Sequence, residues 1–238
     1  MRRFVLFIYL SFVTFNHILS QEVKIGIETG IGTYSMSDLK KINSEVQKIY
    51  PFDTKIVSDF PPYFYYQPVL SIKSGKISFG FVYSYQSTGS RISAKDYSGE
   101  YLFDMKVHSS SPGIYTDVDM WSKYGFSLSI YLTSKATFSK LRTNEYFTLL
   151  DSLLTNNISN YRAINYNFEP GISLTRSVSH FTFGINAGYS VDFWEKAFHN
   201  TANKEIILIN PGTGKKIKPN WSGFRFGLSV IINLKKKS

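Results

Sequence analysis

Three segments of the chain alternate between bulky apolar and small or polar residues, always in the same sense. In Asn165–Leu174, Tyr166, Phe168, Pro170, Ile172 and Leu174 alternate with Asn165, Asn167, Glu169, Gly171 and Ser173. In Phe181–Phe193, Phe181, Phe183, Ile185, Ala187, Tyr189, Val191 and Phe193 alternate with Thr182, Gly184, Asn186, Gly188, Ser190 and Asp192. In Phe224–Leu234, Phe224, Phe226, Leu228, Val230, Ile232 and Leu234 alternate with Arg225, Gly227, Ser229, Ile231 and Asn233. A period of two marks a β-strand with two unlike faces. A soluble sheet has use for one such strand. A chain built almost wholly of them is explained by lipid outside and a narrow polar lumen inside.

Five further segments follow the same pattern and bring the count to eight: Glu22–Tyr34, Tyr63–Lys73, Lys76–Thr88, Tyr97–Ser109 and Lys123–Thr133. In the fourth strand the expected outward residues are Tyr101, Phe103, Met105 and Val107. Most of these segments have the roughly 9–11 residues that a tilted strand needs to cross a bilayer. An even number of strands closes without an edge. The sequence thus predicts an all-β chain: an eight-stranded antiparallel up-and-down transmembrane β-barrel.

The connections alternate in length. Long ones follow the first, third, fifth and seventh strands, at Ser35–Pro62, Gly89–Asp96, Ser134–Tyr161 and Trp194–Asn220. Short ones follow the second and sixth, at Ser74-Gly75 and around Ser177–Ser179. Ser110–Ser122, with Ser111-Pro112-Gly113, is the exception and reads as a longer hairpin. Outer-membrane barrels pair short periplasmic turns with long external loops. Both termini are therefore expected in the periplasm.

Aromatic residues support the same orientation. Tyr34, Phe64, Tyr66, Tyr83, Tyr85, Tyr101, Tyr161, Tyr189, Phe193 and Trp221 gather near the expected external rim, as an interfacial girdle would. Short helices are expected in two external loops. Ser35 and Asp38 resemble a capping box, followed by a stripe of Leu39, Ile42, Val46 and Ile49. Thr143–Leu154 repeats the idea with Tyr146, Leu149, Leu150, Leu153 and Leu154. Such helices can form a lid or partner surface, or pack on neighbouring loops.

The chain has 238 residues. Residues 1–20 read as a secretory signal peptide: Arg2 and Arg3, the apolar run Phe4–Phe15, and Ser20 before Gln21. Residues 21–238 then form one outer-membrane barrel domain. No later run of 18 apolar residues offers a transmembrane helix. The chain has no cysteine, which excludes disulfides, thiolate metal sites and a cysteine nucleophile. The net charge is +10, spread over loops and ends without a nucleic-acid-binding motif. Lipid is the better partner for this charge. Arg91, Lys95, Lys140, Arg142, Lys204, Lys215, Lys216 and Lys218 lie in the external connections, where lipopolysaccharide phosphates are natural partners.

Chemistry is sought next on the inward faces. Lys24, Glu28, Lys73, Asp104, Lys106, Glu169 and Arg225 fall on expected lumen positions, with Asp192 near the external end. Unpaired charge is costly in a lumen just wide enough for side chains. Lys24, Glu28, Asp104, Glu169 and Arg225 are therefore expected to form a charge network, with Arg225 bridging Glu28 and Glu169. No catalytic, cofactor-binding or metal site is expected. His108, His180 and His199 lack a nucleophile-elbow or zinc-helix motif around them.

Several strings carry a family resemblance: Ser37-Asp38-Leu39-Lys40-Lys41, Ser58-Asp59-Phe60-Pro61-Pro62-Tyr63-Phe64-Tyr65-Tyr66-Gln67, and Gln86-Ser87-Thr88-Gly89-Ser90-Arg91-Ile92. Asp96-Tyr97-Ser98-Gly99-Glu100-Tyr101 and Trp221-Ser222-Gly223-Phe224-Arg225-Phe226-Gly227 belong with them. With the strand pattern, they resemble the outer-membrane β-barrel domain family of Bacteroidota-type bacteria, small porin-like proteins with eight strands. The resemblance covers about Gln21–Leu234. It implies a barrel and an outer-membrane address, and no biochemical role.

The expected function is non-enzymatic: a structural or surface-interaction role through the long external loops, above a plugged polar lumen. Outer-membrane lipid, lipopolysaccharide and a protein at the loops are the expected partners. The alternative is a narrow channel for small or apolar solutes. A soluble carrier would have an apolar interior and polar exterior, the reverse of this pattern.

Overall fold

The computed structural model describes residues 22–49, 54–150 and 152–234, except the side chains of Ile49 and Asp96. The expected signal peptide lies outside the described residues. In chain order the elements are β1 (Glu22–Gly32), α1 (Ser37–Ile49), β2 (Lys55–Asp59), β3 (Tyr63–Ser74), β4 (Ile77–Asp96) and β5 (Gly99–Lys123). They continue with β6 (Phe126–Leu149), β7 (Ser152–Val178), β8 (Phe181–Glu195), β9 (His199–Asn200) and β10 (Gly223–Leu234).

Eight strands close into a ring. β1 pairs with β10 on one side and β3 on the other, and the circuit continues through β8, β7, β6, β5 and β4 back to β3. Every pairing is antiparallel. The closing seam runs without a break from Val23↔Leu234 to Gly32↔Arg225. Two short strands are additions to the ring. β2 lies on the edge of β4, where β3 has left it, and β9 pairs with β7.

Three tight turns share one end of the barrel with the first and last strand residues: Gly75-Lys76, Tyr124-Gly125 and Ser179-His180. Tyr124 and Gly125 both have positive φ, +54° and +78°, as a two-residue turn matching the strand twist requires. The expected alternation of short and long connections holds only in part: β4 and β5 are joined by Tyr97-Ser98 and β6 and β7 are separated by residues 150–151, so the long connections between ring strands follow β1 and β8. Ser110–Ser122 is no connection at all but the interior of β5.

Four strands are far longer than a bilayer crossing needs. β4, β5, β6 and β7 have 20, 25, 24 and 27 residues. Their extra length stands above the rest of the wall at the end opposite the tight turns. The expected connection Gly89–Asp96 is strand, and most of Ser134–Tyr161 is the upper β6–β7 hairpin. The second expected helix, over Thr143–Leu154, is part of that hairpin, with Tyr146↔Asn156 and Phe147↔Thr155 paired across it. Pairing along two neighbouring strands overrides the local helical spacing of its leucines.

The wall changes character with height. Near the tight turns, Ile25, Phe79, Ile114, Ile130, Ile172, Ile185 and Leu228 point outward, while Ser71, Ser78, Asp117, Ser129, Ser173 and Ser229 are buried inside. In the upper part the same two faces exchange roles. On β5, Lys106 and His108 point outward, and Tyr101, Met105 and Val107 are buried inside. This corrects the expected facing of the fourth strand, whose apolar residues turn inward. Together with Ile92, Leu141 and Ala163 they build an apolar core within the upper barrel.

α1 and the connection after β8 complete that core. Leu39, Ile42 and Val46 form the buried stripe of α1, and Met36, Phe198, Ile217 and Trp221 join them. The first expected helix therefore exists and packs into the barrel mouth. Asn43, on its buried side, donates to Asp59 Oδ1 at 2.8 Å and accepts from Ser90 Oγ at 3.3 Å, tying α1 to β2 and β4.

Candidate functional site

The barrel interior has three levels. The level nearest the tight turns is a polar cavity of about 260 Å³. Lys24, Lys73, Asp117 and Asp119 line it among serines and threonines. Lys73 pairs with Asp119, which also accepts from Ser129 Oγ at 2.7 Å. Asp117 accepts from Ser78 Oγ at 3.2 Å. Lys24 thus shares a charged chamber with two aspartates and a second lysine, below the other members of the expected network.

The middle level is a closed plug. Tyr65 donates its hydroxyl to Glu28 Oε1 at 2.5 Å, and Asn186 donates to Oε2 at 2.7 Å. Lys135 Nζ lies 2.5 Å from Glu169 Oε2 and 3.3 Å from Gln67 Oε1, and Ser84 donates to the same Gln67 oxygen. Arg225 lies 4.0 Å from Glu169, with its guanidinium over the rings of Tyr34 and Tyr65. Two cations therefore face two carboxylates, and all four side chains are buried. Glycines make the close packing possible. A side chain at Gly171 or Gly188 would overlap the ring of Tyr131, and one at Gly227 would overlap Tyr65 and Glu28.

The expected network is thus brought together in part. Glu28, Glu169 and Arg225 meet in the plug. Arg225 reaches Glu169, while Glu28 is held by Tyr65 and Asn186. Asp104 is elsewhere. It lies on the outer wall of the upper barrel, opposite Arg91, which donates to both its oxygens at 2.7 Å. Asp104 follows the outward parity of Lys106 and His108, so the inverted facing of β5 carries it out of the lumen.

Two plug residues are not evident from the sequence. Lys135 is the main partner of Glu169, yet it falls just beyond the expected end of the fifth strand. Its signal is the inward series Tyr131, Thr133, Lys135, Thr137 and Ser139. That series is masked because its outward neighbours Ser134 and Ala136 are small. Tyr65 lies between outward Phe64 and Tyr66 and looks like one more girdle aromatic.

The upper level is an apolar core. Trp221 is fully buried, donates Nε1 to Ser139 Oγ at 2.8 Å, and meets Tyr34 edge-on with ring centroids 5.1 Å apart. Tyr34, Tyr101 and Trp221 are therefore interior residues, and Tyr161 packs against the same core. The outward aromatic band is formed instead by Phe64, Tyr66, Tyr83, Tyr85, Tyr166, Phe168, Tyr189, Phe193, Trp194 and Phe224. Phe168 stacks on Phe193 at 4.5 Å, and Tyr166 meets Trp194 at 5.3 Å.

Charge at the mouth concentrates near the end of β8. Burial pushes the Glu195 carboxyl up to about 7; Asp192 adds to the shift, Lys218 opposes it, and Asp38 at the start of α1 adds again. Asp192 accepts from the Trp221 backbone N–H at 2.5 Å and from Asn165 at 2.7 Å. This acidic group joins α1, the last connection and the β7–β8 wall.

No family model and no curated protein matches the chain. Among solved structures, it is similar to a major outer membrane protein from Thermus thermophilus. The identity is 8%, over 89% of this chain and 99% of that one, with a TM-score of 0.51. It is also similar to Ail, the attachment invasion locus protein of Yersinia pestis, at 10% identity over 90% of this chain and 100% of that one, with a TM-score of 0.41. At such identities the likeness to the Thermus protein bears on the fold alone.

Proposed function

We propose that this chain is a bacterial outer-membrane barrel with a closed lumen, whose working part is the upper body. In this reading it is a non-enzymatic surface-interaction protein with its termini in the periplasm. The observation that carries the reading is the exchange of faces with height. An apolar exterior around a polar interior suits lipid, and an apolar interior within a polar exterior suits water. Both occur on the same strands, without any change of side-chain parity. The aromatic band lies near that exchange, as expected at a membrane interface.

The plug and the apolar core argue against the narrow channel. A solute would have to separate Lys135 from Glu169 and then displace Trp221, Phe198 and α1. The 260 Å³ cavity is a pocket below that obstruction. The upper hairpins instead offer a surface. Tyr97 and Leu150 are almost fully exposed at adjacent tips, where the Leu150 N–H donates to Ser98 O at 2.7 Å.

Planar-bilayer recording of the refolded protein tests this reading. A silent, heat-modifiable, inserted protein is expected. Stable discrete openings would move the function to the lumen.

A further inference from the structure

The outer wall just above the aromatic band carries a cationic strip. Strand register sets His108 beside Lys140, and Lys140 beside Arg162. One level higher, Lys106 stands directly opposite Arg142. All five side chains are exposed. Among the described residues, no carboxylate lies within ion-pair distance of any of them. Like charges directly opposite on neighbouring strands are destabilising. Here two such pairs, Lys140–Arg162 across β6 and β7 and Lys106–Arg142 across β5 and β6, lie at successive levels and share β6. The acid nearest in register, Asp104, is already held by Arg91.

A groove of about 420 Å³ adjoins the strip. It forms where β4 is unpaired on one side, between its partnership with β3, which ends at Tyr65↔Gln86, and that with β2, which begins at Asp59↔Ser90. Small residues of β4, Ser87 and Gly89, floor it. Lys106 and His108 line one side, with the Arg91–Asp104 ion pair beside them, and Val57 and Tyr63 line the other. The His108 ring is set by Tyr85 of the aromatic band, whose hydroxyl lies 3.3 Å from Nδ1. The groove thus offers the Lys106 ammonium, the His108 ring as a hydrogen-bonding group and an apolar wall at the height of the aromatic band.

We propose that this strip and groove form a binding site for the phosphate groups of an outer-leaflet glycolipid. The sugar headgroup would lie in the groove beside Lys106 and His108, with phosphates bridging Lys140, Arg142 and Arg162. A doubly charged phosphate placed between paired cations turns their repulsion into charge-assisted hydrogen bonding. The inference rests on the outer-membrane reading above.

The test uses the full chain refolded into phosphatidylcholine vesicles with and without bisphosphorylated lipid A, then extracted and purified. The readout is lipid A retained per protein. The variants are Lys140→Gln/Arg142→Gln/Arg162→Gln, and Lys204→Gln/Lys215→Gln/Lys216→Gln as an equal charge change in the last connection. The native chain should retain lipid A, and dephosphorylated lipid A should not be held. Retention should weaken roughly fivefold for each strip cation removed, and the second variant should behave as native. Equal retention by native and strip variant would overturn the proposal, as would an equal loss in both variants. If the strip variant fails to refold, the native chain's preference for phosphorylated over dephosphorylated lipid A decides instead, and its absence overturns the proposal. Failure of the native chain to insert would overturn the outer-membrane reading and the inference with it.

Discussion

Lys135 of β6 and Glu169 of β7 meet inside the barrel with 2.5 Å between nitrogen and oxygen, both buried. Removing one partner leaves the other charge in a poorly hydrated interior, which is the costly way to break such a pair. Lys135→Met should therefore destabilise the barrel by about 3–5 kcal/mol, read as a lower urea midpoint. Adding Glu169→Leu should restore part of that loss. A double variant as weak as the sum of both singles would show that the two charges do not depend on each other.

Leu228 points outward in the middle of the apolar wall, opposite Thr29 on one side and Ile185 on the other. Leu228→Arg should cost about 2–4 kcal/mol if that position faces the bilayer midplane. The check is the yield of folded protein in vesicles. Native yield would mean that this stretch of β10 is not lipid-covered.

Met105 supplies the contrasting case. It is fully buried in the upper core, although its segment alternates like a lipid-facing strand. Met105→Ala should cost about 2–5 kcal/mol through the cavity it leaves. Differential unfolding of the native and variant chains measures this. A negligible change would return Met105 to the outer face.

Glu195 gives the mouth a pH dependence. Its carboxyl is raised from an ordinary 4.5 to about 7, first by burial and then by Asp192. The folded state thus holds this proton more tightly than the unfolded chain does. The resulting stability is complete below about pH 4.5 and is lost as pH rises through about 7. Glu195→Gln should flatten the fall in unfolding midpoint across that window. Parallel pH profiles for native and variant chains would assign the dependence to another group.

The alternation in Phe181–Phe193 and Phe224–Leu234 identifies the outward residues of β8 and β10 because the apolar wall covers nearly the whole of both strands. The same reasoning fails at Tyr101, Met105 and Val107. Periodicity records that two faces differ; which of them turns outward depends on the solvent at that height. Asp104 lies outside the expected lumen network for this reason. Glu28, Glu169 and Arg225 lie lower on the wall, where apolar does mean outward, and their inward facing is legible. Their partners are harder to read. Lys135 lies between two outward positions, Ser134 and Ala136, whose small side chains hide the alternation, and the hydrogen bond from Tyr65 depends on pairing between β1 and β3 that no local pattern contains.

The contact between Tyr34 and Trp221 has a consequence for how the molecule assembles. Its two rings lie just beyond β1 and just before β10, next to the mutual hydrogen bonding of Thr33 and Phe224 across 191 residues. The stopper of the mouth is therefore supplied by segments flanking the closing seam. Zipping the first strand to the last brings Tyr34 and Trp221 together in the same step. Part of the mouth's seal is thus tied to closure of the ring itself, while α1, held to β2 and β4 through Asn43, supplies the rest.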